Sequence, residues 1–199
     1  MEVVSLYLVS IINVLTAIRF VYLIRKQKIQ PALAMWLFFL LAIATSFITY
    51  LRNGGIGATG NILNATDLFL ATSVVVSILI YGDKSSGFNK FDLVCLALVI
   101  IIMIFWFATG AHFVTNLLIQ AILVIAYFPV VERMVRLKRN TETFTGWTGM
   151  LLAAIVSLFS VEGSLAYIYS IRAIVCISLL MGLMFYFTYK SKADPMKNI

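Results

Sequence analysis

Long apolar stretches separated by short polar segments dominate the chain. A membrane-spanning helix needs about 20 mostly apolar residues, and seven stretches approach or exceed that length. They cover residues 3–24, 32–51, 61–81, 91–109, 112–132, 146–161 and 164–189. Because helices satisfy their own backbone hydrogen bonds in lipid, the pattern predicts an all-α protein, a polytopic transmembrane bundle of seven helices.

The composition agrees with a membrane protein. Hydrophobic residues make up 62% of the 199 residues and charged residues 12%, whereas a soluble domain is about half apolar and about a quarter charged. The first stretch lacks a basic leader and a small-residue cleavage site, so we expect it to be retained as the first helix. The predicted location is the cell membrane, either plasma or bacterial inner membrane, with membrane lipid as a partner.

The basic residues predict the orientation of the bundle. With the N-terminus outside, the inside segments carry twelve lysines and arginines and the outside segments carry only Arg52. The twelve are Arg25, Lys26, Lys28, Lys84, Lys90, Arg133, Arg136, Lys138, Arg139, Lys190, Lys192 and Lys197. Cytoplasmic loops retain lysine and arginine, so we expect the N-terminus outside and the C-terminus inside. This distribution accounts for the net charge of +7 without a nucleic-acid partner.

The two halves of the chain share a pattern at one constant offset. Arginine, tryptophan and serine recur as Arg25, Trp36 and Ser46 in the first half and as Arg136, Trp147 and Ser157 in the second. Chance is the alternative, but the chain has only three tryptophans and two of them fall in register. We interpret the pattern as a parallel 3+1+3 repeat. Residues 1–90 form the first three-helix repeat, 91–110 a linker helix, and 111–199 the second repeat with a short cytoplasmic tail.

This layout resembles the PQ-loop superfamily of seven-helix membrane proteins, which includes the SWEET-like (MtN3-like) sugar facilitators and the PnuC vitamin transporters. The resemblance lies in the 3+1+3 layout and in a basic turn followed by a tryptophan-bearing helix in each half. It also includes Pro129 near the inner end of the fifth helix. At the position of the family's Pro-Gln dipeptide this chain has Pro129-Val130. The resemblance implies transport by alternating access, with Pro129 as a hinge.

Signatures of enzymes and of cofactor sites are missing from the sequence. The single histidine, His112, cannot form a zinc site with distant cysteines. The common hydrolase and phosphate-loop motifs do not occur, and the last stretch has no mid-helix lysine for a retinal Schiff base. We therefore expect no enzymatic activity, no metal and no cofactor.

Polar side chains recur at helical spacing inside the predicted helices. Residues three, four or seven apart share one helix face, and a polar face in lipid turns toward other helices or a water-filled cavity. The predicted substrate-binding residues are Asn13, Thr16, Asn64, Asp67, Gln120, Tyr169, Ser170 and Arg172. Their amides and hydroxyls either line a solute site or tie helices together by hydrogen bonds.

Asp67 and Arg172 matter most among these residues. A charge at the centre of a membrane helix costs about 2.5–3.5 kcal/mol, so we expect the two to approach each other inside the bundle. They form part of a solute site or a structural ion pair. The predicted function is movement of a small polar solute, such as a sugar, nucleoside or vitamin, by alternating access. The alternative is a non-transporting scaffold or receptor, and assembly into a homo-oligomer stays open.

Residues near the predicted inner ends have simpler explanations. Glu132 and Arg136 lie four residues apart, a spacing typical of a solvated ion pair on a helix. Arg19 is close enough to the inner surface for its charge to reach the headgroups. Trp36 and Trp147 either line a pathway or anchor their helices at the membrane interface.

Overall fold

The computed structural model describes residues 2–29, 31, 33–53, 57–82 and 90–193. Every regular element within these residues is helical. The helices are α1 (Glu2–Arg25), α2 (Leu33–Arg52), α3 (Ile62–Tyr81), α4 (Lys90–Thr109), α5 (His112–Ile125), α6 (Phe128–Leu137), α7 (Phe144–Ser157) and α8 (Ser164–Ala193), with a 3-10 turn at Thr59–Asn61. The helical fold class is confirmed, and α5 and α6 together correspond to the predicted helix over 112–132.

By length and composition, five of the described segments are able to cross a bilayer. They are Glu2–Arg25, Leu33–Arg52, Thr59–Tyr81, His112–Leu137 and Ser164–Lys190. The apolar stretches Leu96–Thr109 and Phe144–Ser157 are shorter. The 14 residues of α7 rise about 21 Å, less than the roughly 30 Å of a hydrocarbon core. The sixth helix was predicted to end at 161, and this boundary is wrong. α7 ends at Ser157, and residues 158–160 form turns.

The fifth predicted helix is broken rather than continuous. α5 ends at Ile125, and Ala126 and Tyr127 form a turn before α6 begins. The Tyr127 amide donates to the Val124 carbonyl oxygen at 3.2 Å, three residues back as in a 3-10 turn instead of four as in an α-helix. Pro129 lies in the first turn of α6, where its missing N–H leaves no hydrogen bond unmade. The residue predicted to be a hinge thus lies directly beside a helix break.

Each helix of the bundle packs against at least two others. α1 packs against α3 and α7, α2 against α3 and α5, and α8 against α5 and α7. α4 contacts α2 and α5 at the periphery. Its apolar side chains stay largely exposed, including Leu93, Ile101 and Phe107, as expected of a helix whose outer surface faces lipid.

Glycines allow a close approach of α1 to α7. A Cβ atom added to Gly149 would overlap Oγ1 of Thr16, and one added to Gly146 would lie 2.6 Å from two ring carbons of Phe20. Small residues at helix interfaces let backbones approach closely in membrane bundles. Thr16, predicted as a solute ligand, therefore lies in a helix-packing interface.

Candidate functional site

An interior cavity lies between α2, α3, α5, α7 and α8. Its volume is about 20 Å³, enough for about one ordered water molecule. Asp67 of α3 and Tyr169 and Arg172 of α8 contribute charged and polar groups to its wall. The apolar part of the wall includes Ile43, Leu63, Leu70, Leu123, Met150 and Ile177.

The carboxylate of Asp67 is buried and paired with two neutral donors. Asp67 is 6% exposed. Its Oδ1 accepts a hydrogen bond from Nδ2 of Asn13 at 2.9 Å, and its Oδ2 accepts one from the Tyr169 hydroxyl at 2.8 Å. Asn13 also donates to Oγ1 of Thr66 at 2.8 Å. Buried carboxylates are tolerated only with such partners, so Asn13 and Tyr169 position Asp67 at the cavity.

Arg172 is half-buried and lies over the ring of Tyr169. Its Nε donates to Oε1 of Gln120 at 3.0 Å, and its guanidinium carbon lies 4.7 Å from the centre of the Tyr169 ring, a cation–π distance. Within the described residues Asp67 and Arg172 form no direct ion pair. Tyr169 links them instead, through its hydroxyl to the carboxylate and through its ring to the guanidinium. The two predicted charges thus share one cavity.

Amide and hydroxyl groups around Ser46 form a second polar cluster beside the cavity. Oγ of Ser46 accepts from Asn64 at 3.0 Å and from Gln120 at 3.2 Å. Asn116 donates to the Ser46 carbonyl oxygen at 2.9 Å and to Oγ1 of Thr49 at 3.0 Å. With the Asn64 amide rotated by 180°, Ser46 becomes the donor at 3.0 Å, so the pair survives in either orientation. This cluster joins α2, α3 and α5.

The structure separates the eight predicted site residues into three groups. Asp67, Tyr169 and Arg172 line the cavity, whereas Asn13 and Gln120 lie behind them and bond to their side chains. Three further residues bond or pack elsewhere. Oγ of Ser170 lies 2.9 Å from Oγ of Ser157, Asn64 belongs to the cluster around Ser46, and Thr16 packs on Gly149. These three contacts connect helices and do not reach the cavity.

Five aromatic rings form what we call the aromatic layer: Phe20, Trp36, Phe39, Tyr127 and Trp147. The ring centres of Trp36 and Trp147 are 6.2 Å apart, and those of Phe39 and Tyr127 are 5.0 Å apart. Both tryptophans are buried, so the interpretation of them as interfacial anchors is wrong. We call the α1–α2 and α6–α7 connections the basic end of the bundle. Trp36 and Trp147 lie near the starts of α2 and α7, so the aromatic layer lies between the cavity and the basic end.

Glu142, in the connection between α6 and α7, is a buried acidic residue that the sequence pattern does not predict. The side chain is 7% exposed, and its Oε2 accepts a hydrogen bond from Nε1 of Trp147 at 3.1 Å. Burial raises the pKa of Glu142 to about 7, while the Trp147 hydrogen bond and the nearby charge of Arg133 act to lower it. The only signal in the sequence was an acidic residue in a basic connection, five positions before a tryptophan.

Comparisons with protein-family models, with curated proteins and with solved structures found no match. Among the described residues, no three histidine, cysteine, aspartate or glutamate side chains cluster as metal ligands would. The residues that line the cavity offer hydrogen bonding, charge and aromatic surface.

Proposed function

We propose that the protein is a transporter or facilitator that moves a small polar solute across a cell membrane by alternating access. The observation that carries this proposal is the placement of Asp67 and Arg172 in the wall of one interior cavity. Ionisable groups inside membrane bundles are costly, and they commonly mark solute pathways. A carboxylate, a guanidinium and several aromatic rings suit a sugar, a nucleoside or a vitamin-like solute, which has hydroxyl groups and ring faces.

The proposal includes the parallel 3+1+3 repeat, which several structural features support. Only two described non-glycine residues have positive φ, Gln27 at 55° and Lys138 at 52°, and their numbers differ by 138 − 27 = 111. The stacked pair Trp36 and Trp147 differs by the same number, 147 − 36 = 111. Positive φ is uncommon outside glycine, so its recurrence at the matching helix end favours two copies of one unit.

Hydrogen bonds and helix contacts repeat at the same offset. Ser5 of α1 lies 2.9 Å from Oγ of Ser160, and Asn116 of α5 donates to Oγ1 of Thr49 at 3.0 Å. The two pairs correspond at the offset of 111 residues. Ser5 corresponds to Asn116, since 116 − 5 = 111, and Thr49 corresponds to Ser160, since 160 − 49 = 111. The contacts of α1 with α3 and α7 likewise correspond to those of α5 with α8 and α2. Transporters with internal repeats place their solute site between the copies.

Orientation, family and location belong to the same proposal. The excess of lysine and arginine at the basic end supports a cytoplasmic position for it, with the N-terminus outside. The repeat and the two tryptophan-bearing helices support membership of the PQ-loop superfamily, with its SWEET-like and PnuC transporters. The proposed location is a plasma or bacterial inner membrane.

Alternating access requires the cavity to open and enlarge. A volume of about 20 Å³ is far below the roughly 300–1,000 Å³ of small-molecule sites, so the structure corresponds to a closed form. The aromatic layer closes the cavity toward the basic end, and Tyr127 belongs both to that layer and to the break between α5 and α6. Bending at this break, beside Pro129, would move Tyr127 and open the basic end.

The alternative function is that of a non-transporting scaffold or receptor that binds a partner or small ligand. The small cavity and the complete pairing of both Asp67 oxygens favour it. In that case the polar residues only hold the helices together. Replacing Asp67 would then lower stability, without any effect on solute movement.

Solute screening followed by uptake measurements separates the two functions. Thermal shifts of the purified protein against sugars, nucleosides, vitamins and amino acids would identify candidates for uptake into proteoliposomes. We expect Asp67→Asn and Arg172→Gln to stay folded and to lose uptake. The matched control is Arg19→Gln, which removes an exposed arginine outside the cavity. Uptake that survives both cavity substitutions would contradict the proposal, as would the absence of any transported solute.

A further inference from the structure

A second cavity opens at the basic end, between the α1–α2 and α6–α7 connections. Its volume is about 270 Å³, close to the roughly 300 Å³ at the lower end of small-molecule sites. Lys28 of the first connection, Arg133 of α6 and Arg139 of the second connection all line it. We call this cavity the basic-end pocket. It is separate from the interior cavity and shares no lining residue with it.

The charge of the basic-end pocket favours an anion. Three cationic side chains line it against one carboxylate, that of Glu142, which gives a net charge of 3 − 1 = +2 when all are ionised. Arginine presents a planar set of donors that matches a phosphate group, and lysine adds a compact charge. Basic pockets at the cytoplasmic surface of membrane proteins are also where phospholipid headgroups bind.

Two polar oxygens of the basic-end pocket are buried and have no hydrogen-bond partner among the described residues. They are Oγ1 of Thr141 and Oε1 of Glu142. The Glu142 amide donates to Oδ1 of Asn140 at 3.0 Å, which fixes the turn that holds both residues. Leaving buried polar groups without a hydrogen bond is costly, so a ligand that pairs with them gains binding energy at this position.

A phosphate group supplies the missing partners. Its oxygens accept hydrogen bonds from the Thr141 hydroxyl and from the cations, and a P–OH or a neighbouring ligand hydroxyl donates to Oε1 of Glu142. We propose that the basic-end pocket binds a phosphate group, carried by a soluble phosphate ester or by an anionic phospholipid headgroup. Glu142 would connect the bound group to the aromatic layer, because its other oxygen accepts a hydrogen bond from Trp147.

Binding to the full-length protein tests the proposal in two arms. In the first arm, inorganic phosphate and glycerol 3-phosphate are titrated in detergent at constant ionic strength, and binding is followed by the intrinsic fluorescence of the three tryptophans, which include Trp147. In the second arm, the melting temperature is compared in nanodiscs of phosphatidylcholine with and without phosphatidylglycerol. A response in the first arm alone identifies a soluble ester, and a response in the second arm alone identifies a headgroup.

Paired substitutions separate a built pocket from general attraction to a basic surface. The double variant Lys28→Gln/Arg139→Gln removes two exposed cations of the pocket, and the control Lys26→Gln/Lys138→Gln removes two exposed cations outside it. We expect binding to weaken about tenfold or more in the first variant and less than about twofold in the control. Thr141→Val, without charge change, should also weaken binding. Equal losses in both double variants, or no response in either arm, would overturn the proposal.

Discussion

The buried carboxylate of Glu142 makes the stability of the protein depend on pH, and Glu142→Gln should remove that dependence. Glutamine keeps an oxygen that can accept the hydrogen bond from Nε1 of Trp147, which Glu142 accepts at 3.1 Å. It cannot ionise, however, so it avoids the cost of a buried charge. The substitution therefore separates the hydrogen bond from the titration.

The magnitude follows from the pKa of the group. Burial raises the pKa of Glu142 from 4.5 to about 7, and at about 1.36 kcal/mol per pKa unit this corresponds to about 3 kcal/mol. The folded protein holds the proton more tightly than the unfolded chain, so stability is highest below the unfolded pKa and falls as pH rises to about 7. Most of the loss, about 2 kcal/mol or slightly more, falls between about pH 5 and about pH 8.

Thermal unfolding followed by tryptophan fluorescence, in buffers without phosphate, provides the assay. The wild-type melting temperature should fall relative to that of Glu142→Gln by about 5–10 °C between the two pH values, at about 2–4 °C per kcal/mol. The control Glu132→Gln removes an exposed carboxylate that pairs with Arg136 at 3.1 Å, and should change stability by less than about 0.5 kcal/mol. Parallel pH curves for wild type and Glu142→Gln would show that Glu142 does not cause the pH dependence.

Three further substitutions test packing, hydrogen bonding and topology. Gly149→Ala should destabilise the fold by about 1–3 kcal/mol, because the added Cβ overlaps Thr16. The control Gly182→Ala, whose Cβ meets no atom within 4 Å, should leave stability unchanged. Equal melting temperatures of the two variants would argue against the close contact. Ser46→Ala should cost about 1–3 kcal/mol, because it removes the hydroxyl that bonds to Asn64 and Gln120; the exposed Thr72→Ala serves as its control, and a loss no larger than that of the control would argue against the cluster. A Lys138→Cys variant in a cysteine-free background should react with an impermeant thiol reagent only from the inside, and reaction from outside would reverse the proposed orientation.

The sequence was sufficient to predict the helices and the polar positions within them. Apolar length fixes a helix in lipid almost regardless of which apolar residues fill it, so the helical class followed from the hydropathy pattern. A charged residue within an apolar stretch is equally easy to recognise, so the sequence alone identifies Asp67 and Arg172. Their separation by Tyr169 was not predictable, because it depends on how α3 and α8 meet.

The break after Ile125 and the burial of Glu142 were harder to predict. The residues around the break are apolar, so the hydropathy pattern continues through it without a change. Pro129 alone is compatible with both a hinge and an ordinary helix start. Glu142 lies in a polar connection, where a carboxylate is normally solvated. Its burial arises from the Trp147 indole, whose N–H needs an acceptor inside the bundle.

Opening of the interior cavity alternately to the two sides of the membrane can be tested without knowing the solute. Ala173 is buried and lines the cavity, whereas Ala17 is buried in α1 and is not among the lining residues. Each is replaced by cysteine in a background without Cys95 and Cys176, and an impermeant thiol reagent is added to one side at a time. Alternating access predicts that Ala173→Cys is modified from either side and Ala17→Cys from neither. Modification of Ala173→Cys from one side only, or from neither, would contradict alternating access.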